Sequence, residues 1–362
     1  MNIYQSTLWC EDRDLVLQNL TAMEELAGTS IFITGAGGLI ASSLTDLLIR
    51  YNETRLKDNY IEIFASGRSK EGILARFRPY ANLPWFHAVE YDAAAPANNI
   101  PAHLDYIIHA AGNASPDRVM QEPVETMVSN FIGLRNLLEY CRYNNCRRLL
   151  YLSSSEIYGR KDSSVSYREG DYGYIDLLNP RNSYSVGKRA AETLCISYAA
   201  EYGIDSVIVR PGHVYGPTAG VRDQRVSSSW AYDAAAGRNI VMKSDGAQLR
   251  SYCYCLDCAS AILKVMLRGE TGLAYNISNP DSIISIRKMA EILVASAGVN
   301  LRTEVPTETE RKAFNPMSNS SLDSSRLQRL GWKGCFDAET GFSHTVRILR
   351  EITRSAAEHK EV

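Results

Sequence analysis

Tyr184 and Lys188 stand four residues apart in a stretch with helical patterning, which puts a phenol and an ammonium on one helix face. An ammonium beside a phenol favours the phenolate, and a tyrosine that gives up its proton near neutral pH is a general base for an alcohol. The spacing alone recurs by chance, so its meaning rests on what surrounds it. Upstream, the apolar run Arg148-Leu-Leu-Tyr-Leu152 ends in Ser153-Ser154-Ser155-Glu156. A carboxylate next to a cluster of hydroxyls offers a second acid/base.

These residues need elements to hold them. Ser30-Ile-Phe-Ile-Thr34 reads as a β-branched strand; Gly35-Ala-Gly-Gly38 as a tight turn; Leu39 and Ile40 as the start of an apolar helix reaching Leu48. That order cradles a phosphate, because glycines let the backbone approach a pyrophosphate and the helix N-terminus supplies N–H groups. A second strand, Tyr60 to Ser66, leads into Gly67-Arg68-Ser69. Selectivity for NAD calls for an acidic residue near that strand's end, and none is there. Arg68 could meet a 2′-phosphate or could be a solvated loop charge, which leaves NAD and NADP both open. Asp92 closes a third strand (His87 to Tyr91) within reach of an adenine, and a fourth strand from Asp105 runs into the small residues Ala110, Ala111 and Gly112, suited to close approach by a cofactor.

Helical spacing from Pro123 to Tyr140, a fifth strand at 148–152, the helix from Tyr184 to Tyr202 with a stop at Gly203, and a sixth strand from Ser206 complete a strand–helix alternation. The expected fold class is α/β: a Rossmann-type doubly wound parallel sheet with a smaller C-terminal α/β substrate-binding lobe. The expected division is an N-terminal helical extension at 1–28, a dinucleotide-binding domain at 29–211 and a mainly substrate-binding lobe at 212–362, with 251–278 returning to the core sheet. The extension reads as one helix from Asp12 to Leu26, stopped at Gly28. Arginines at 222, 225, 238 and 250 suit a diphosphate-bearing substrate.

The 362 residues are 45% hydrophobic, enough for a full core. Basic and acidic residues, 39 against 41, nearly cancel, which argues against nucleic acid and anionic membranes as partners. No apolar run approaches the roughly 20 residues of a membrane span, and a cytoplasmic location is expected. Cys253, Cys255 and Cys258 cluster without a second Cys-x-x-Cys pair, so core packing is favoured over zinc and no metal is expected.

Gly35-x-x-Gly38, Ser154, Tyr184-x-x-x-Lys188 and Arg210-Pro-x-x-x-Tyr-Gly-Pro217, in that order, resemble the extended short-chain dehydrogenase/reductases of the NAD-dependent epimerase/dehydratase family that act on nucleotide sugars. Within it the chain is most similar to UDP-glucuronate decarboxylases and next to GDP-mannose 4,6-dehydratases. Four segments carry this: Ala114-Ser-Pro-Asp117; Ser154-Ser-Glu-Ile-Tyr-Gly159; Pro180-Arg181; and Asp223-Gln-Arg-Val-Ser-Ser228 with Gly246-Ala-Gln-Leu-Arg250. Ser155 stands where dTDP-glucose dehydratases carry Asp, which argues against that branch.

The resemblance implies Tyr184, Lys188 and Ser154 as a catalytic triad with Glu156 beside it, and Ser115, Arg181, His213, Arg225 and Arg250 as substrate contacts. It also implies a homodimer built on a four-helix bundle from the helices at 124–140 and 184–202. Three departures stand out: Ala41 for a third glycine, Gly67 for the acid of NAD-using relatives, and His213 for an asparagine near the substrate diphosphate. The implied chemistry oxidises the sugar C4 hydroxyl to a ketone. A C4 ketone makes a C6 carboxylate a β-keto acid and acidifies C5, so loss of carbon dioxide or water follows, with Glu156 favouring these over 4-epimerisation. The rival from another class is a non-catalytic dinucleotide-binding module, whose mark would be a degenerate triad.

Overall fold

The computed structural model describes residues 2–95, 99–161, 164–307 and 317–358. Its centre is a seven-stranded sheet made of β1 (Ser30–Thr34), β2 (Glu62–Gly67), β3 (Phe86–Glu90), β4 (Tyr106–His109), β5 (Arg148–Leu152), β6 (Ser206–Pro211) and β10 (Ala274–Ile277). The order across the sheet is β3-β2-β1-β4-β5-β6-β10, and every pairing is parallel. A parallel sheet needs both faces covered, and all residues of β1 and β6 are buried accordingly. Successive side chains of β1 divide between the faces. Ile31 and Ile33 pack with Leu44, Leu47 and Leu48 of helix α2 (Leu39–Arg55) and with Ile262 and Leu263 of α8 (Cys255–Arg268). Phe32 packs with Leu134, Leu137 and Leu138 of α5 (Pro123–Asn144) and Ala191 and Cys195 of α6 (Ser183–Tyr202).

Within 251–278, α8 and β10 belong to this central layer, while Ser251 to Tyr254 lie in β9 (Leu249–Tyr254). Strand β9 sits in a separate three-stranded sheet between β7 (His213–Tyr215), to which it is parallel, and β11 (Ile283–Ser285), to which it is antiparallel. Cys253, Cys255 and Cys258 are fully buried at this junction, and burial pushes their thiols up.

The N-terminal extension differs from the single helix expected. It forms α1 (Thr7–Asn19), capped by the Ser6 hydroxyl, then a separate 3-10 turn at Met23–Leu26. The helix ends where Leu20 turns extended (φ −95°, ψ 115°), and Ala22 then takes a left-handed backbone (φ 69°) at the entry to the turn. The extension packs on the core of its own chain: Trp9, Val16 and Leu17 join the main cluster. The Tyr4 hydroxyl donates to Asp46 (2.5 Å), Arg76 donates to the same carboxylate (2.6 Å), and Asp12 accepts from Tyr254 and from His344 of the C-terminal helix Ala338–Glu358 (2.8 Å each).

Candidate active site

The order of strands reverses between β1 and β4, and the Gly-rich turn opens there. Gly35 has φ +68°, and a Cβ built on it would lie 2.9 Å from the Ala111 Cα, so only glycine fits between the ends of the two strands. Thr34 ties those ends together: its hydroxyl oxygen accepts from the Ala110 and Ala111 amides (3.1 and 3.0 Å) and lies 2.8 Å from His109 Nδ1. Gly38 then forms the N-cap of α2, with Leu39 and Ile40 opening the helix. Backbone amides and a helix N-terminus facing a crevice suit a pyrophosphate, so the residues present fit a dinucleotide. Ala110 and Ala111 line this crevice half-buried and Gly112 is exposed beside them; Asp92, past the end of β3, is exposed and caps the Ala94 amide (3.0 Å).

Tyr184 and Lys188 sit in the first turns of α6. Gly187 between them lies where α6 packs on α5, facing the Met127 backbone and Asn130. Lys188, 4% exposed, donates to the Leu152 carbonyl at the end of β5 (2.6 Å). Its ammonium lies 4.6 Å from the Tyr151 ring centroid and 5.7 Å from that of Tyr184. Burial pushes Lys188 down to about 7, partly offset by Glu192. Tyr184 is half-buried and is pushed up to about 12, by burial first and then by the Glu156 charge; the facing Ser154 hydroxyl and Arg225 draw it down. The lowering expected from Lys188 is therefore not found in the protein's own groups: desolvation outweighs the partners.

Glu156 follows directly on β5 in a short 3-10 turn whose N-cap is Ser154; the Ser154 hydroxyl accepts from the Glu156 amide (3.2 Å). The exposed Glu156 carboxylate accepts from the Ser185 hydroxyl (3.3 Å), which ties it to the residue after Tyr184. Four expected residues, Ser154, Glu156, Tyr184 and Lys188, thus converge between the end of β5 and the start of α6.

His213, Arg225 and Arg250 form a second group. His213, on β7, pairs in register with Tyr252 on β9, and its Nδ1 is buried without a partner. Burial and the charges of Arg250 and Arg225 push its imidazole down to about 4. Arg250 is 4% exposed and donates to the Leu249 and Met317 carbonyls, while Arg225 is held by Asp223. Arg225 is the link between the groups, since its charge bears on both His213 and Tyr184. Ser115, at the N-cap of the short helix α4 (Pro116–Gln121), is half-buried; Arg181 is exposed, one residue past Pro180.

The sequence reading missed four contributors. Ser185 positions Glu156. Asn130 and Tyr151 brace Lys188 from α5 and β5, with the Tyr151 hydroxyl donating to Asn130 (3.1 Å). Behind them Glu192, one turn past Lys188, accepts from Ser153 (2.5 Å) and is clamped by Arg210 through two bonds (2.9 and 2.6 Å). The i, i+4 spacing of Lys188 and Glu192 was the available signal.

A fold and a tyrosine–lysine–serine corner of this kind define a short-chain dehydrogenase/reductase. The chain matches the family described as "NAD dependent epimerase/dehydratase family" over residues 31–278, and it belongs to that family. Among curated relatives, UDP-glucuronic acid decarboxylase 6 of Arabidopsis thaliana is 33% identical over 306 residues, covering 84% of this chain and 83% of the relative. UDP-glucuronic acid decarboxylase 1 of Xenopus tropicalis is 28% identical over 337 residues, covering 92% and 75%. Among solved structures, a UDP-N-acetylglucosamine 4-epimerase from Methanobrevibacter ruminantium M1, in complex with UDP-N-acetylmuramic acid, superposes with a TM-score of 0.75 at 21% identity, covering 90% of this chain and 99% of the other. The last supports the fold, a Rossmann-type α/β architecture. No helix among the described residues is long and apolar enough to cross a membrane.

Proposed function

We propose that the chain decarboxylates a nucleotide-diphosphate uronic acid such as UDP-glucuronate, by way of a 4-keto sugar. The observation that carries this reading is the convergence of Tyr184, Ser154 and Lys188 with a carboxylate, Glu156, tethered beside the base. The likeness to UDP-glucuronic acid decarboxylases over most of the chain supports it.

Bound nicotinamide dinucleotide supplies a hydride acceptor that also returns the hydride, so the cofactor is unchanged overall. Tyr184 takes the proton of the C4 hydroxyl, and Ser154, facing the phenol, holds that hydroxyl in line. Lys188, fixed by the Leu152 carbonyl, keeps an amine donor at the corner. With C4 a ketone, the C5–C6 bond breaks, its electron pair enters the C4–C5 enolate, carbon dioxide leaves and C5 then takes a proton; Glu156 is placed to manage proton traffic there. Arg225, Arg250 and His213 hold the diphosphate, and Ser115 and Arg181 the sugar end.

The test is product NMR with a panel of UDP-, GDP-, CDP- and dTDP-sugars that includes uronic acids. UDP-glucuronate is expected to give carbon dioxide and the UDP-pentose. An inverted C4 with all six sugar carbons retained would favour the 4-epimerase reading, and no turnover of any sugar by protein with dinucleotide bound would favour a non-catalytic module. The proposed unit is a cytoplasmic homodimer, in which the exposed Val124, Met127 and Phe131 of α5 and Ile196 of α6 are covered by the same helices of a second copy. Light scattering of the purified protein tests it.

A further inference from the structure

We propose that the N-terminal segment 2–28 positions the residues that hold the substrate diphosphate, with Asp12 as the positioning residue. The inference rests on the reading that Arg250 and His213 face that diphosphate, and it concerns how the strands carrying them are held from behind. The segment precedes residues 31–278, the span that matches the family. On one side it is tied to α2: Asp14 accepts from Arg50 through two bonds (2.7 Å each), and Tyr4 shares the buried Asp46 carboxylate with Arg76 of α3 (Lys70–Arg76). On the other side Asp12 Oδ2 accepts from the Tyr254 hydroxyl, and its Oδ1 lies 2.8 Å from His344 Nδ1. Helix α2 opens at the Gly-rich turn and Tyr254 ends β9. One short segment therefore joins the helix that begins at the cofactor crevice to the strand that carries Arg250.

Arg250, Tyr252 and Tyr254 are alternate residues of β9 and share one face. His213 and Tyr215 of β7 pair in register with Tyr252 and Tyr254 and lie on that face too. The C-terminal helix (Ala338–Glu358) covers it: Phe342 stacks on Tyr215 (centroids 3.6 Å apart, 12° between planes) and meets Tyr252 edge-on (5.5 Å), while the His213 ring lies 5.8 Å from Tyr252. His344 follows Phe342 by two residues. Asp12 thus holds the aromatic layer from both sides, through Tyr254 on the strand and His344 on the helix, and that layer is continuous with His213 and Arg250.

Anchoring alone does not call for a carboxylate, since Trp9, Val16 and Leu17 already supply apolar contact. Asp12 is 2% exposed and Tyr254 is fully buried. A carboxylate taken out of water is costly unless its oxygens meet well-aligned donors, so strand and helix must keep one relative placement to satisfy it. A close-packed interior passes a displacement on, and a small shift of β9 takes Arg250 away from the oxygen it must meet.

Full-length protein freed of nucleotide is titrated with UDP and with NAD+ by calorimetry, and amide hydrogen exchange is followed without ligand. Asp12→Ala is expected to weaken UDP about tenfold and to speed exchange in β7 and β9. NAD+ is expected to stay within about twofold, with exchange in β1 unchanged. Asp12→Asn, which keeps an acceptor for Tyr254, is expected to recover part of the loss. Glu25→Ala, which breaks the exposed pair with Arg268 at the far end of the segment, is expected to alter neither affinity. If Asp12→Ala does not fold, Tyr254→Phe deletes only the donor hydroxyl and is expected to weaken UDP about threefold. Unchanged UDP affinity, or equal losses for UDP and NAD+, reduces Asp12 to a stabilising residue and overturns the proposal while leaving the decarboxylase reading intact. If the unaltered protein binds no UDP, the decarboxylase reading falls, and unchanged exchange in β7 and β9 of Asp12→Ala then overturns the positioning role separately.

Discussion

Ser153 and Ser154 are neighbours, and so, one helical turn apart, are Glu192 and Lys188, yet each pair serves two different regions. Ser154 faces Tyr184 in a corner where the tyrosine is half-buried and Glu156 is exposed with a single long bond to Ser185. Ser153 donates to Glu192 in a network that is closed: Glu192 is clamped by Arg210, Arg210 donates also to the Tyr158 hydroxyl (3.0 Å) and the Glu169 carbonyl (2.7 Å), and Tyr158 donates to Asn276 (2.5 Å). The network joins β5, α6, β6 and β10, with Arg210 2% exposed. Satisfied polar groups hold geometry, while unsatisfied ones are free to act. The same strand end and the same helix thus carry the frame on one register and the chemistry on the next.

The sharpest break of that comparison is Tyr184→Phe. It removes the hydroxyl that takes the proton and leaves the ring that packs at the corner, so kcat is expected to fall by about 10³-fold or more with dinucleotide binding and melting temperature unchanged. Near-normal turnover would move the base elsewhere. Arg210→Met should do the converse. It leaves the Glu192 carboxylate buried and unpaired, at a cost of about 3–5 kcal/mol in urea unfolding, with kcat close to normal well below the transition. A drop in kcat at unchanged stability would place Arg210 in the active corner instead. Replacing both partners, Glu192→Leu with Arg210→Met, should recover much of the loss, since no charge is then stranded.

Glu156→Gln sharpens the chemical side. The amide keeps the length and the contact to Ser185 but cannot move a proton. Consumption of substrate to the 4-keto sugar is expected to persist while the final product forms about 10²-fold more slowly, which NMR would register as accumulated ketone. Unchanged product formation would leave Glu156 with no part in the fate of the ketone and favour epimerisation.

How much of this could be read beforehand follows the same division. Strand β1, the Gly-rich turn and α2 were readable because their signals are local: a β-branched run, glycines where a positive φ and a close approach demand them, and an apolar helix. Tyr184, Lys188, Ser154 and Glu156 were readable as types at short spacings. What closes the site was not, because it depends on contacts distant in sequence: Glu156 with Ser185, Ser153 with Glu192, Tyr151 with Asn130. Burial was not legible either: spacing places a lysine near a phenol but does not measure how much water both have lost, and that loss raises Tyr184 and lowers Lys188. The end of the N-terminal helix at Asn19 was hidden too, because Leu20, Thr21 and Ala22 include no helix-stop residue and the apolar spacing runs on to Met23 and Leu26.

Two histidines carry the comparison to its smallest effect. His109 lies fully buried in the frame, held neutral by burial and by the Lys188 charge, its imidazole pushed from 6.5 to about 3; His213, at the substrate side, is pushed to about 4 by burial and by Arg250 and Arg225. Both folded values lie below the unfolded one, so the unfolded chain takes up protons first. The stability they contribute is complete above pH 6.5 and is lost as pH falls through the window down to about 3 for His109 and about 4 for His213. Urea midpoints should decline across that window, and His109→Gln should flatten the decline more than His213→Asn. A diphosphate ligand separates the two. Neutralising Arg250 and Arg225 removes the repulsion that suppresses the His213 proton and offers its unpaired Nδ1 an acceptor, so UDP should raise the His213 titration in NMR and leave His109 where it is. A His213 titration indifferent to UDP would detach His213 from the diphosphate and return it to the frame.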